Sequence, residues 1–72
     1  MSQAVMDAKK GFGTRLREIR REAELTQQEL AVKAGTHAAT IAKIEQGTHT
    51  PNWETVIALA EALGVSTEEF RK

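Results

Sequence analysis

The chain contains no cysteine. Disulfides, iron–sulfur clusters and thiolate zinc sites are therefore excluded, and a reducing cytoplasm is allowed by that absence but not proved by it. Two histidines, His37 and His49, are too few to close a zinc site, so no metal or other cofactor is expected. Tyrosine is absent and aromatics make up 4% of the chain, too little for a typical small β-barrel. No apolar run is long enough to span a membrane. The start, Met1 to Lys10, has no early basic region followed by an apolar stretch, so no signal peptide is read. Charge of one sign is also missing. Ten basic residues balance ten acidic ones, giving a formal net charge of zero.

Enzyme chemistry has little to work with. There is no plausible serine/histidine/acid set. Gly11-Phe12-Gly13 follows no strand and lacks the third glycine of a dinucleotide fingerprint. Glu68-Glu69 reads as a helix start beside a solvated tail. The chain is expected not to be an enzyme.

What remains is 72 residues with 40% hydrophobic and 28% charged residues, enough for one small domain. Its charges are unevenly placed. Residues 1–24 carry six basic and four acidic groups, and residues 52–72 carry two basic and four acidic groups. The N-terminal third is thus +2 and the C-terminal third −2, a mild dipole that either presents one face to a polyanion or carries no function.

The apolar spacing is helical throughout. Phe12, Leu16, Ile19 and Ala23 form one stripe of a first helix. Thr26-Gln27-Gln28-Glu29 has the form of a capping box and opens a second helix running to about Ala34, with Leu30, Ala31 and Ala34 inward. Gly35 stops it in the left-handed cap conformation. A third helix, capped by Thr36 or His37, continues to about Gln46 with Ile41 and Ile44 inward, and Gly47 ends it. After the loop Thr48-His49-Thr50-Pro51, Asn52 caps a fourth helix whose inward stripe is Trp53, Val56, Ile57, Ala60 and Leu63. Gly64 ends that helix. Ser66-Thr67-Glu68-Glu69 repeats the capping-box form and opens a short fifth helix carrying Phe70. The pattern predicts an all-α, compact five-helix bundle over residues 12–72. A loose arm over residues 1–11 precedes it, where Lys9 and Lys10 could add phosphate contacts.

The second and third helices are joined too tightly to lie flat and antiparallel. They cross steeply, as in a helix-turn-helix that sets its second helix in the DNA major groove. Opposite the Ile41/Ile44 side, the third helix presents Ala39, Ala42, Lys43 and Gln46, with Ala38 nearer the edge. Across the turn, Gln27 and Gln28 stand at the positive end of the second helix, which suits a phosphate. A glutamine amide both donates and accepts, which suits the N6/N7 edge of adenine.

These residues resemble a family. Leu25 to Ala31, Ala34-Gly35, Thr40 to Gly47, Pro51 and Ala60 to Ser66 are similar to the Xre/Cro-like helix-turn-helix repressors of phages and bacteria. The resemblance extends from Phe12 to Phe70. It implies a lambda-repressor-like domain that binds pseudo-palindromic double-stranded DNA as a homodimer. By position, Thr26 and Gln27 match phosphate contacts. His37, Ala38, Ala39, Ala42 and Lys43 match base-facing sites, and Gln46, Thr48, His49 and Thr50 match contacts to the DNA backbone. Arg20 and Glu45 match a buried ion pair tying the first helix to the third. The family often carries Arg, Gln, Ser or Asn where Ala38, Ala39 and Ala42 stand here, and its loop before the proline is often basic. Small side chains favour contact with thymine methyls, so an A·T-leaning specificity is expected, with Gln28 and Lys43 as the strongest base readers. His37 and His49 read first as ordinary surface residues, with a phosphate contact that strengthens as pH falls as the alternative. The function implied is that of a small transcriptional regulator, a repressor blocking polymerase. The neutral charge and the alanines keep a second reading open, a protein-interaction module of the same fold such as an antitoxin-like or adaptor domain.

Overall fold

The computed structural model describes residues 2–71, and side chains from Gly11 to Arg71. Four α-helices follow one another: α1 Ser2–Glu22, α2 Gln27–Ala34, α3 Ala38–Gln46 and α4 Trp53–Leu63. A 3-10 helix, Thr67–Arg71, closes the chain. No strand occurs among the described residues. No helix there is long and apolar enough to cross a membrane.

Two boundaries differ from expectation. The first helix begins at Ser2, ten residues ahead of Phe12. The side chains of Lys9 and Lys10 lie outside the described residues. The expected fifth helix is instead the 3-10 helix, so the fold has four α-helices. Ser66 explains this change. Its Oγ accepts from the Glu68 N–H at 3.2 Å, while its backbone carbonyl accepts from the Glu69 N–H at 3.1 Å. That i→i+3 closure is the 3-10 pattern.

Helix ends follow one rule. After α1, α2, α3 and α4 the chain makes paired 6→1 and 5→2 backbone bonds, such as Leu25 N–H to Arg20 O and Glu24 N–H to Arg21 O. These are Schellman closures. Gly35, Gly47 and Gly64 occupy the left-handed position in three of them, and Glu24 occupies it after α1.

The core gathers Leu16 and Ile19 from α1, Leu30 and Ala31 from α2, Ile41 and Ile44 from α3, Leu59 and Ala60 from α4, and Phe70. Phe12 stacks on Phe70 with ring centroids 5.0 Å apart. Arg15 fastens the same corner by donating from Nε to the Glu69 carbonyl at 2.8 Å. The inward stripe of α4 is rotated from the expected one. Leu59 is fully buried, whereas Trp53 is 63% exposed and Ile57 37% exposed. The stripe Val56, Leu59, Ala60 and Leu63 has the i, i+3, i+4, i+7 spacing and leaves Trp53 and Ile57 on its flank. Ala23 is exposed, because α1 has ended at Glu22 before it.

Candidate nucleic-acid interface

The site begins with the capping box of α2. Thr26 Oγ1 accepts from the Glu29 N–H at 3.0 Å, and the Glu29 carboxylate accepts from the Thr26 N–H at 2.8 Å. This fixes the start of α2 and leaves its next side chain, Gln28, exposed. At the other end, Gly35 adopts φ +73°, a conformation that costs a side-chain-bearing residue energy. The turn it makes brings in α3 only three residues later.

His37 occupies the N-cap of α3 but its side chain makes no cap hydrogen bond. The helix buries Ile41, Ile44 and Glu45. It exposes Ala39, Lys43 and Gln46, with Ala42 half-buried. Ala38 is half-buried and packs against the core, so it offers an edge rather than an open face. Thr48, His49 and Thr50 are exposed in the loop after Gly47. The Thr48 hydroxyl donates to the Lys43 carbonyl at 3.1 Å, which ties the loop to the end of α3.

Glu45 organises the junction of three helices. Its side chain is fully buried. Arg20 grips it with both arms, Nε to Oε2 at 2.7 Å and Nη2 to Oε1 at 3.1 Å, and donates a further bond from Nη1 to the Leu25 carbonyl at 2.8 Å. Gln27 donates from Nε2 to Glu45 Oε1 at 3.0 Å. Gln27 therefore turns one amide N–H inward, and only the rest of its amide is available to a phosphate. Burial pushes the Glu45 carboxyl up, but the hydrogen bonds of Arg20 and Gln27 and the charges of Arg20 and Arg17 outweigh it and hold it below its ordinary value. The hydrogen bond to Glu45, helped by its charge and opposed by burial, raises the Arg20 guanidinium above its ordinary value.

Two residues here were missed from the sequence. Arg17 places Nε 3.6 Å from Glu45 Oε1 and is 46% exposed. Gly13 lies where α1 crosses the end of α3. A Cβ built there would stand 2.3 Å from the Ile44 carbonyl oxygen and 2.8 Å from that of Glu45. Their spacing held the signal: Gly13, Arg17 and Arg20 lie at i, i+4 and i+7, one face of α1.

Residues 12–72 match the helix-turn-helix domain family. The chain belongs to that family, in its Xre/Cro-like branch. This helix-turn-helix protein is 48% identical over 60 residues to an uncharacterized HTH-type transcriptional regulator, RghRB, of Bacillus subtilis (strain 168), covering 82% of this chain and 43% of that protein. It is 42% identical over 53 residues to the immunity repressor protein of Bacillus phage phi105, covering 74% of this chain and 37% of that one. The chain thus spans less than half the length of these two relatives. Among solved structures, the restriction-modification controller protein C.AhdI from Aeromonas hydrophila superposes with a TM-score of 0.88 at 29% identity. That match covers 90% of this chain and 94% of the other.

Proposed function

We propose that the chain is the sequence-specific, double-stranded-DNA-binding domain of a small transcriptional regulator of the repressor type, with α3 inserted in the major groove. The observation that carries this reading is the outward face of α3. Its one acid, Glu45, is buried beneath Arg20, while Lys43, its one cation, is exposed. No carboxylate of α3 is left facing a polyanion. The family match over residues 12–72 and the named regulators and repressors among its relatives support the same reading.

Residues 12–72 are the binding unit, and the first turns of α1 extend ahead of it. Gln28 and Lys43 read base edges, Ala39 and Ala42 lie against thymine methyls, and His37 and Ala38 approach the groove from the start of α3. Thr26, Gln27, Gln46, Thr48, His49 and Thr50 lie along the phosphates. Two copies act together as a homodimer, on half-sites about 10–10.5 base pairs apart centre to centre. The reading places the protein in the cytoplasm with the nucleoid, with no cofactor and no enzymatic step.

Selection of binding sites from random duplexes tests it, followed by titration of the winner at several salt concentrations. One pseudo-palindromic, A·T-leaning site is expected, bound with a steep salt dependence. A selected site governed by G·C contacts opposite Ala38 and Ala39 would contradict the assignment of those residues. Failure to enrich any sequence would overturn the function itself.

A further inference from the structure

The Glu45 cluster holds more positive charge than its carboxylate needs. Arg20 alone satisfies both oxygens, and Gln27 adds a third bond. Arg17 is a third partner, and its 3.6 Å separation is too long for a hydrogen bond. Two guanidinium groups therefore face one carboxylate, and the surplus lies on the arginine that water reaches. Arg20 is buried and immobilised. Arg17 is half-exposed and loosely held, with the donors of a planar fork left to offer.

Its position is defined by the oxygen it approaches. Glu45 Oε1 also receives the amide of Gln27, the first residue of α2. Arg17 therefore stands beside the start of α2, at the carboxylate that α3 contributes from its last turn. Gly13 makes this possible by letting the backbone of α1 close on the end of α3 one turn earlier. In a chain of zero net charge, affinity for DNA must come from local cations of this kind, because phosphate contacts supply most of it.

Resting on the DNA-binding reading above, we propose that Arg17 is a phosphate-binding residue of the interface, contributed by α1. Glu45 holds its guanidinium at the start of α2, where a DNA phosphate takes it over. Its contact is independent of base sequence. The loose pair with Glu45 contributes little to the fold, because Arg20 already neutralises that carboxylate.

The test is fluorescence anisotropy of the full chain with a labelled duplex of its selected site and with a scrambled duplex, across a range of salt. Arg17→Gln is expected to weaken both complexes by a similar factor and to lower the log–log salt slope by about 0.9. Arg17→Lys should retain most of the slope, and the melting temperature of Arg17→Gln should stay within a few degrees of the parent. Arg71→Gln makes the same charge change at the end of the 3-10 helix, which Arg15 ties to the opposite side of α1. It should leave the slope unaltered. An unchanged slope in Arg17→Gln, or an equal loss in Arg71→Gln, overturns the proposal while leaving the parent's DNA binding intact. A parent that shows no salt-dependent binding overturns the DNA-binding reading itself, and the role of Arg17 with it.

Discussion

Glu24 sits at φ +59° in the closure after α1, where the other three helix ends carry glycine. A left-handed conformation costs an L-residue with a side chain roughly 1–2 kcal/mol, and part of any gain from glycine is lost to its greater freedom when unfolded. Glu24→Gly should therefore stabilise the domain by about 0.5–1 kcal/mol, read as a higher midpoint in urea with an unchanged slope. A lower midpoint would mean that the Glu24 side chain makes a compensating contact. Glu45 is the opposite case. Removing one partner of a buried pair costs about 3–5 kcal/mol, a large share of the roughly 4–11 kcal/mol available to a domain of this size. Glu45→Ala should lower the melting temperature by well over ten degrees, and a shift of one or two degrees would show that the pair contributes little. Folding also lowers the carboxyl's affinity for protons, since its value in the structure lies below the ordinary 4.5. Its stabilisation is complete above that ordinary value and is lost as pH falls below it, through the lower folded value. Thermal melts from pH 7 down to pH 3 should show this loss in the parent and a weaker acid dependence in Glu45→Gln.

Between elements, the decisive contact is α1 against the end of α3. Gly13 lets the two backbones approach, and a Cβ there would meet two carbonyl oxygens that cannot move without unwinding α3. Gly13→Ala should destabilise the domain despite the better helix propensity of alanine. We expect a net loss of about 1–3 kcal/mol, the usual cost of overpacking. A neutral or stabilising result, measured by chemical denaturation, would show that α1 can shift away from α3. Such a shift would also slacken the Arg20–Glu45–Gln27 connection and the placing of α2. The starts of α2 and α4 were readable as local chemistry, because Thr26 and Asn52 bond to N–H groups within three residues. The turn at Gly35 was readable for the same reason. The rotation of α4 was not. Val56, Ala60 and Leu63 complete a helical stripe with either Trp53 and Ile57 or Leu59, and only the packing against α2 and the 3-10 helix selects Leu59.

At the scale of the whole molecule, the lone tryptophan reports on that selection. Trp53 stands outside the core, so Trp53→Ala should change stability by less than about 0.5 kcal/mol. In dilute protein its fluorescence should be red-shifted and readily quenched by iodide. Blue-shifted, protected emission at the lowest concentration would place Trp53 in the core. If that emission develops only as concentration rises, a second copy covers the residue, as aromatic side chains at interfaces favour.

The sequence by itself determined α2, α3 and α4 with their glycine stops, the caps of α2 and α4, the helix-turn-helix and the outward face of α3. These depend on neighbours within one or two turns, and the residue types that satisfy them are few. Tertiary structure decided which side of α4 is buried and that Gln27 and Arg17 both turn to the carboxylate of Glu45. Gln27 and Arg17 lie 18 and 28 residues from Glu45 in the chain. No local preference reaches that far, and only the crossing of α1 over α3 brings the charges together.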